Sequence, residues 1–85
     1  MKTLELVEEI DTQRAKALVA NLERYKGETI TLRINSPGGS VTAGMLIADA
    51  IQRHGRVTAE IVGLAASMAS VVAVAAKETR MASTT

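Results

Sequence analysis

The sequence contains no cysteine, which excludes a disulfide framework, thiol chemistry and any cysteine-based metal site. Phenylalanine and tryptophan are absent too, and Tyr25 is the one aromatic, so a core has to be built from Ile, Leu, Val, Ala and Met. Neither sign of charge dominates: ten basic and nine acidic residues are interspersed, leaving a net charge of +1. No electrostatic footprint for nucleic acid is visible in that balance, and no nucleic-acid partner is expected. The uncharged stretch 61–76 is 16 residues long and holds Gly63, Ser67 and Ser70. It falls short of the ~20 residues needed to span a bilayer and reads as a strand end plus a buried helix, not a membrane segment. Glu5, Glu8 and Glu9 interrupt any apolar region of a signal peptide at the start. A cytoplasmic setting is the expectation, with no metal or cofactor. Eighty-five residues make one small domain, burying ~60% or slightly more of its chain surface on folding. No repeat, linker or low-complexity tract interrupts it.

What is present is an alternation of two periods. Residues 3–7 suit a short strand. Asp11 or Thr12 is placed to cap a helix in which Arg14, Leu18, Leu22 and Tyr25 share a face with Ile10 just before it. That helix should end near Lys26-Gly27, and its charged positions Arg14, Lys16, Glu23 and Arg24 read as solvated surface. Residues 29–34 alternate as a half-buried strand does. A second helix, 41–53, is apolar on most sides, which predicts burial between layers or against another subunit. Asp49 within it reads as a surface carboxylate. His54-Gly55 closes the helix, 57–62 is a second strand, 68–77 a third helix, 79–82 another short strand and 83–85 a loop. Strand, helix, strand, helix in this order predicts an α/β fold with a parallel sheet and right-handed crossovers.

Two turns carry the chemistry. Asn35-Ser36-Pro37-Gly38-Gly39-Ser40 follows the strand at 29–34. Pro37 fixes φ and has no N–H, while Gly38 and Gly39 reach conformations closed to other residues, giving a sharp turn with exposed N–H groups. The second turn is Gly63-Leu64-Ala65-Ala66-Ser67-Met68-Ala69-Ser70. Its Ser67 stands between an apolar strand and an Ala/Val-rich helix, beside N–H groups that have no intrahelical partner. Such donors suit the negative charge that develops on an oxygen attacked by the serine, although the same small residues also serve tight helix–sheet packing. Two such turns after neighbouring parallel strands would both lie at the carboxyl edge, where open α/β sheets place their sites. Gly39 and Ser67 are therefore expected close together.

The two stretches, residues 34–45 and 63–69, resemble the proteolytic subunit of the Clp protease and its phage relatives, the Clp-related head maturation proteases. The likeness covers residues 29–82, with both motifs in order. Signal peptide peptidase A shares a similar Ser-Pro-Gly-Gly turn, and the Ala-Ala-Ser-Met sequence makes the pair specific. The resemblance implies a ClpP/crotonase-like α/β fold of repeated β-α-β units with a mainly parallel sheet, of which residues 1–85 form a single partial domain. It implies a serine endopeptidase with Ser67 as nucleophile and the backbone N–H groups of Gly39 and Met68 as oxyanion donors. It also implies a peptide or unfolded-protein substrate, a homo-oligomeric ring, and either an ATPase unfoldase or phage capsid proteins as partners.

Serine needs a base, usually a histidine held by a third group. The one histidine, His54, lies about 12 residues of helix, ~18 Å, from the glycine turn. Lys77 is ten residues past Ser67, ~15 Å along its helix, and does not reach it. The resemblance places the family's histidine, in a Met-Ile-His stretch, after Thr85 and its aspartate later still, so this chain is expected to be inactive alone. The segment between the motifs is one residue shorter than the usual Clp pattern, near His54-Gly55. Two other readings stand beside the peptidase: a non-catalytic assembly or interaction protein of the same fold, and a phosphate or nucleotide binder. For the latter Gly39 and Gly44 have P-loop end spacing, but Met45 replaces the required lysine. There is no G-x-G-x-x-G match either, although Glu60 sits ~20 residues on, where a ribose-binding acid belongs.

Overall fold

The computed structural model describes residues 2–81. Four strands and three helices alternate along the chain: β1 (Lys2–Val7), α1 (Thr12–Arg24), β2 (Ile30–Ser36), α2 (Val41–His54), β3 (Val57–Ala65), α3 (Met68–Ala75) and β4 (Glu78–Met81). The strands form one sheet in the order β1-β2-β3-β4, every pair parallel. Right-handed crossovers that always step the same way put all three helices on one face. Accordingly α1 packs on α2 and α2 on α3. The expected parallel α/β architecture is the one observed. Of the expected strand at 79–82 and loop at 83–85, residues 82–85 lie outside the described residues.

Alternation along the strands decides which side faces the helices. Leu4 and Leu6, Ile30, Leu32 and Ile34, and Val57 and Ala59 are buried beneath them. Ile10, Leu22, Ile47, Ile51 and Val72 complete the interior, aliphatic as the composition requires. Each such side chain contributes on the order of 1.5–3 kcal/mol when fully buried. The opposite face carries a row of alternating charge in register, Glu5, Arg33, Glu60 and Arg80. Glu60 sits 3.2 Å from Arg33 and 3.6 Å from Arg80.

Two boundaries and the burial of one helix differ from expectation, each for a local reason. β3 runs on to Ala65 because an irregularity after Ile61 lets it rejoin β2 at Ser36. α3 stops at Ala75, since Lys77 N–H already donates to Val57 O (2.9 Å) and starts β4. α2 is one-sided: Ala43, Gly44, Ile47, Ala48, Ala50 and Ile51 are buried, while Val41, Met45 and Leu46 are exposed. It therefore lies in a single outer layer and not between two.

Arg14 is exposed, as its charged helix face predicts, and there it braces the chain that precedes α1. Its guanidinium reaches Asp11 (2.8 Å) and Glu8 (3.3 Å), and its N–H donates to Asp11 Oδ1 (2.7 Å), so Asp11 is the helix cap. This ties down the β1–α1 loop that carries Ile10.

Candidate active site

Each of the three helices begins at a residue of N-cap type, and one of them does not cap. Asp11 accepts from Arg14 N–H, and Ser40 Oγ accepts from Ala43 N–H at 3.2 Å. Ser67, at the start of α3, makes no side-chain cap bond. Its backbone is at φ 53°, ψ −126°, a region that costs a non-glycine residue about 1–3 kcal/mol. An ordinary cap has extended backbone, as Ser40 has at φ −60°, ψ 127°. The positive φ of Ser67 instead turns the strand sharply into the helix and leaves the side chain exposed. A strained strand-to-helix turn that presents a serine hydroxyl is the geometry of a nucleophile elbow.

The first turn of α3 supplies the donor beside it. Ala69 N–H donates to Ala66 O and Ser70 N–H to Ser67 O, both at 3.0 Å, and Ser70 Oγ–H also donates to Ser67 O at 2.7 Å. Met68, the first helical residue, has an N–H with no intrahelical acceptor. Its side chain is buried against α2 in the space left by Gly44, where a β-carbon would come within 2.6 Å of Met68 Cε. That glycine lets the two helices close on each other and fixes where α3 begins.

The glycine turn lies directly against this elbow. A β-carbon on Gly38 would stand 2.8 Å from both Ser67 Cβ and the Ala66 carbonyl, and 3.1 Å from Met68 N. On its other side the turn pairs with Ile10: Ile10 N–H donates to Gly38 O (2.8 Å) and Ser40 N–H to Ile10 O (2.9 Å). A β-carbon on Gly39 would collide with the Ile10 carbonyl. In such a parallel bridge the N–H of the middle residue, Gly39, points away from Ile10. Both turns therefore sit at the carboxyl edge of β2 and β3, and the residue touching Ser67 is Gly38, immediately before Gly39.

His54 is at the opposite edge. Its Nδ1 accepts from Arg56 N–H (3.2 Å), so its Nε2–H donates to Tyr25 O (3.0 Å). It ties the end of α2 to the end of α1. The backbone N–H of Lys77 donates to Val57 O at the start of β3, that of Lys2 donates to Thr29 O, and the Lys2 ammonium stands 4.8 Å from the Tyr25 ring centre. Lys16 lines a groove between α1 and α2 with Val19, Leu46 and Arg53. Among the described residues none of these reaches Ser67 as a base.

Sequence reasoning placed Asn35, Ser36 and Gly63 in the two turns and gave them no role of their own. Asn35 Oδ1 accepts from Leu64 N–H (3.3 Å), and the buried Ser36 Oγ accepts from Gly38 N–H (3.1 Å). Gly63, at φ 92°, lies under the Asn35 amide. A glycine inside an apolar strand is a recognised sign of a bulge and was the available signal.

The structure thus defines a parallel α/β sheet whose serine elbow and glycine turn pack together at its carboxyl edge. Comparison gives the family. The family model for Clp protease matches residues 1–85. The chain is 45% identical to ATP-dependent Clp protease proteolytic subunit 1 of Gloeobacter violaceus, over 73% of this chain and 34% of the relative. It is 40% identical to the ATP-dependent Clp protease proteolytic subunit of Leuconostoc citreum, over 76% and 35%. Among solved structures, a point mutant of ClpP1 from Listeria monocytogenes superposes with a TM-score of 0.81 at 32% identity, covering 87% of this chain and 46% of that one. The chain belongs to the Clp protease family. It spans about a third of the length of the curated relatives it matches.

Proposed function

We propose that this chain is the nucleophile-bearing portion of a ClpP-type serine endopeptidase. Ser67 Oγ attacks the scissile carbonyl carbon and gives its proton to a histidine supplied from outside residues 1–85. The carbonyl oxygen takes up negative charge against the N–H groups of Gly39 and Met68, where preorganised donors stabilise it most. The base then protonates the leaving amine, an acyl-enzyme remains on Ser67, and water releases it by the reverse sequence. One observation carries this reading: Ser67 alone among the three cap positions has a positive φ and withholds its hydroxyl from the helix. The relatives are named as proteolytic subunits of an ATP-dependent protease, which supports an ATPase partner over capsid proteins. Family membership supports assembly into a homo-oligomeric ring.

The non-catalytic reading keeps one specific support, the engagement of the sequence's single histidine at the far edge of the sheet. The phosphate-binding reading loses its basis. Gly38 and Ser40 spend their N–H groups on Ser36 Oγ and Ile10 O, so the turn is not an open cradle of donors.

The test is a pair of measurements with a fluorophosphonate probe and a fluorogenic peptide. The 85-residue chain alone is expected to show neither labelling nor hydrolysis above a Ser67→Ala control. A hybrid in which residues 1–85 replace the matching part of the Gloeobacter violaceus subunit is expected to show both, and to lose both with Ser67→Ala. An assembled hybrid that takes no probe leaves the non-catalytic reading standing.

A further inference from the structure

β2 and β3 are in register up to Ile34 opposite Ile61 and again at Ser36 opposite Ala65. Between these points one residue of β2, Asn35, faces three of β3, Val62, Gly63 and Leu64. The extra length has to be held somewhere, because Ser67 follows two residues after the strand rejoins its neighbour. The Asn35 side chain holds it. Its Oδ1 accepts the Leu64 N–H, standing in for a carbonyl the ladder cannot provide there, and its amide lies over Gly63 at 3.2 Å from where a β-carbon would be. Bulges of this kind re-aim the side chains that follow them.

The next residue grips the other arm. Ser36 is fully buried, and its Oγ accepts the Gly38 N–H while its carbonyl accepts the Ala66 N–H, both at 3.1 Å. The Asn35 carbonyl accepts from Glu8 N–H at 3.1 Å, joining the loop that bears Ile10. Two consecutive residues thus bond the serine elbow, the glycine turn and the β1–α1 loop. We propose that Asn35 and Ser36 are positioning residues: Asn35 sets the elbow of Ser67 through the bulge, Ser36 sets the glycine turn, and together they fix the spacing of hydroxyl and backbone donors. The catalytic meaning of that spacing rests on Ser67 being the nucleophile. The spacing itself does not, so the test avoids turnover.

The experiment is amide hydrogen exchange and ¹⁵N-resolved NMR on the 85-residue chain and four variants. Asn35→Ala is expected to raise Leu64 exchange about tenfold, the loss of one hydrogen bond, and to displace the Ser67 and Met68 amide resonances. Asn35→Asp keeps an acceptor oxygen and is expected to restore both. Ser36→Ala is expected to raise Gly38 exchange and displace Gly39 and Met68. Ile51→Val, a core change remote from the site, controls for general loss of stability and should leave all these resonances in place. Unmoved Ser67 and Met68 resonances in Asn35→Ala, or equal displacement in Ile51→Val, overturn the proposal. Failure of Asn35→Asp to rescue overturns the acceptor role assigned to Oδ1. Absence of peptidase activity in the hybrid touches the proposed function and none of these readouts.

Discussion

Replacing Gly38 with alanine tests whether the glycine turn and the serine elbow are pressed together. Two penalties combine there. Gly38 is at φ 105°, outside the range alanine adopts readily, which costs about 1–3 kcal/mol. The new β-carbon would also stand 2.8 Å from the Ala66 carbonyl and Ser67 Cβ. Both belong to a bonded strand-to-helix turn and give way only with it, so overpacking adds about 1–3 kcal/mol. The sum, about 2–6 kcal/mol, is a large part of the ~4–13 kcal/mol that 85 residues usually provide. Gly55→Ala isolates the backbone part. Gly55 caps α2 in the left-handed region at φ 80°, with no atom within 4 Å of a β-carbon, so its cost is the conformational ~1–2 kcal/mol alone. Urea unfolding followed by circular dichroism gives both differences. Gly38→Ala is expected to lose more than Gly55→Ala by at least about 1 kcal/mol, the lower bound of the overpacking term. Equal losses would mean that no close approach exists, and the proposed pairing of hydroxyl and oxyanion donors would lose its geometric basis.

His54→Ala removes two bonds that close the amino edge and should lower the melting temperature by roughly 5–10 °C, from ~1 kcal/mol or slightly more. The Ser67 and Met68 amide resonances should stay where they are; their displacement would contradict the structural role given to His54. Val41, Met45, Leu46, Val71 and Val74 expose apolar surface on the outer side of α2 and α3. The chain is therefore expected to self-associate, less so after Met45→Glu with Val74→Glu, and a monodisperse wild-type monomer in concentrated light-scattering samples would reject this.

Much of the fold is legible in the sequence because period and punctuation agree. Leu4 and Leu6, and Ile30, Leu32 and Ile34, alternate, and Asp11 and Gly55 mark helix ends by their own chemistry. For α2 an apolar sequence states only that contacts are favourable; it does not say how many sides find a partner within the chain, and Val41, Met45 and Leu46 stay exposed, as the expected alternative of packing against another subunit requires. Ser67 was legible as a serine before a helix. Its positive φ was not, since that depends on where β3 rejoins β2 and on the glycine turn standing behind it. Asn35 and Ser36 escaped for a related reason. Each looks like ordinary turn chemistry before a proline, and their partners Leu64 and Ala66 are distant in sequence.

The two edges of the sheet are built to different ends. At the amino edge backbone and side-chain bonds close every crossover. Ile30 N–H donates to Arg56 O, Arg56 Nη1 to Gly27 O, His54 Nε2 to Tyr25 O and Lys77 N–H to Val57 O. The left-handed residues there, Gly27 and Gly55, have open space around them and carry little strain. At the carboxyl edge the left-handed set is Glu8, Gly38, Gly39, Gly63 and Ser67. Two of these are not glycines, and the three glycines touch Ser67, Ile10 and Asn35. Residues in sparsely populated backbone regions persist only where their surroundings over-determine them. Here the surroundings are the Arg14-braced loop, the Ile10 bridge and the Asn35-Ser36 pair, all resting on a core of aliphatic strands. It follows that a substitution at the amino edge reads out in stability alone. One at the carboxyl edge reads out in stability and in the geometry of Ser67 together, because the strained residues there share their supports.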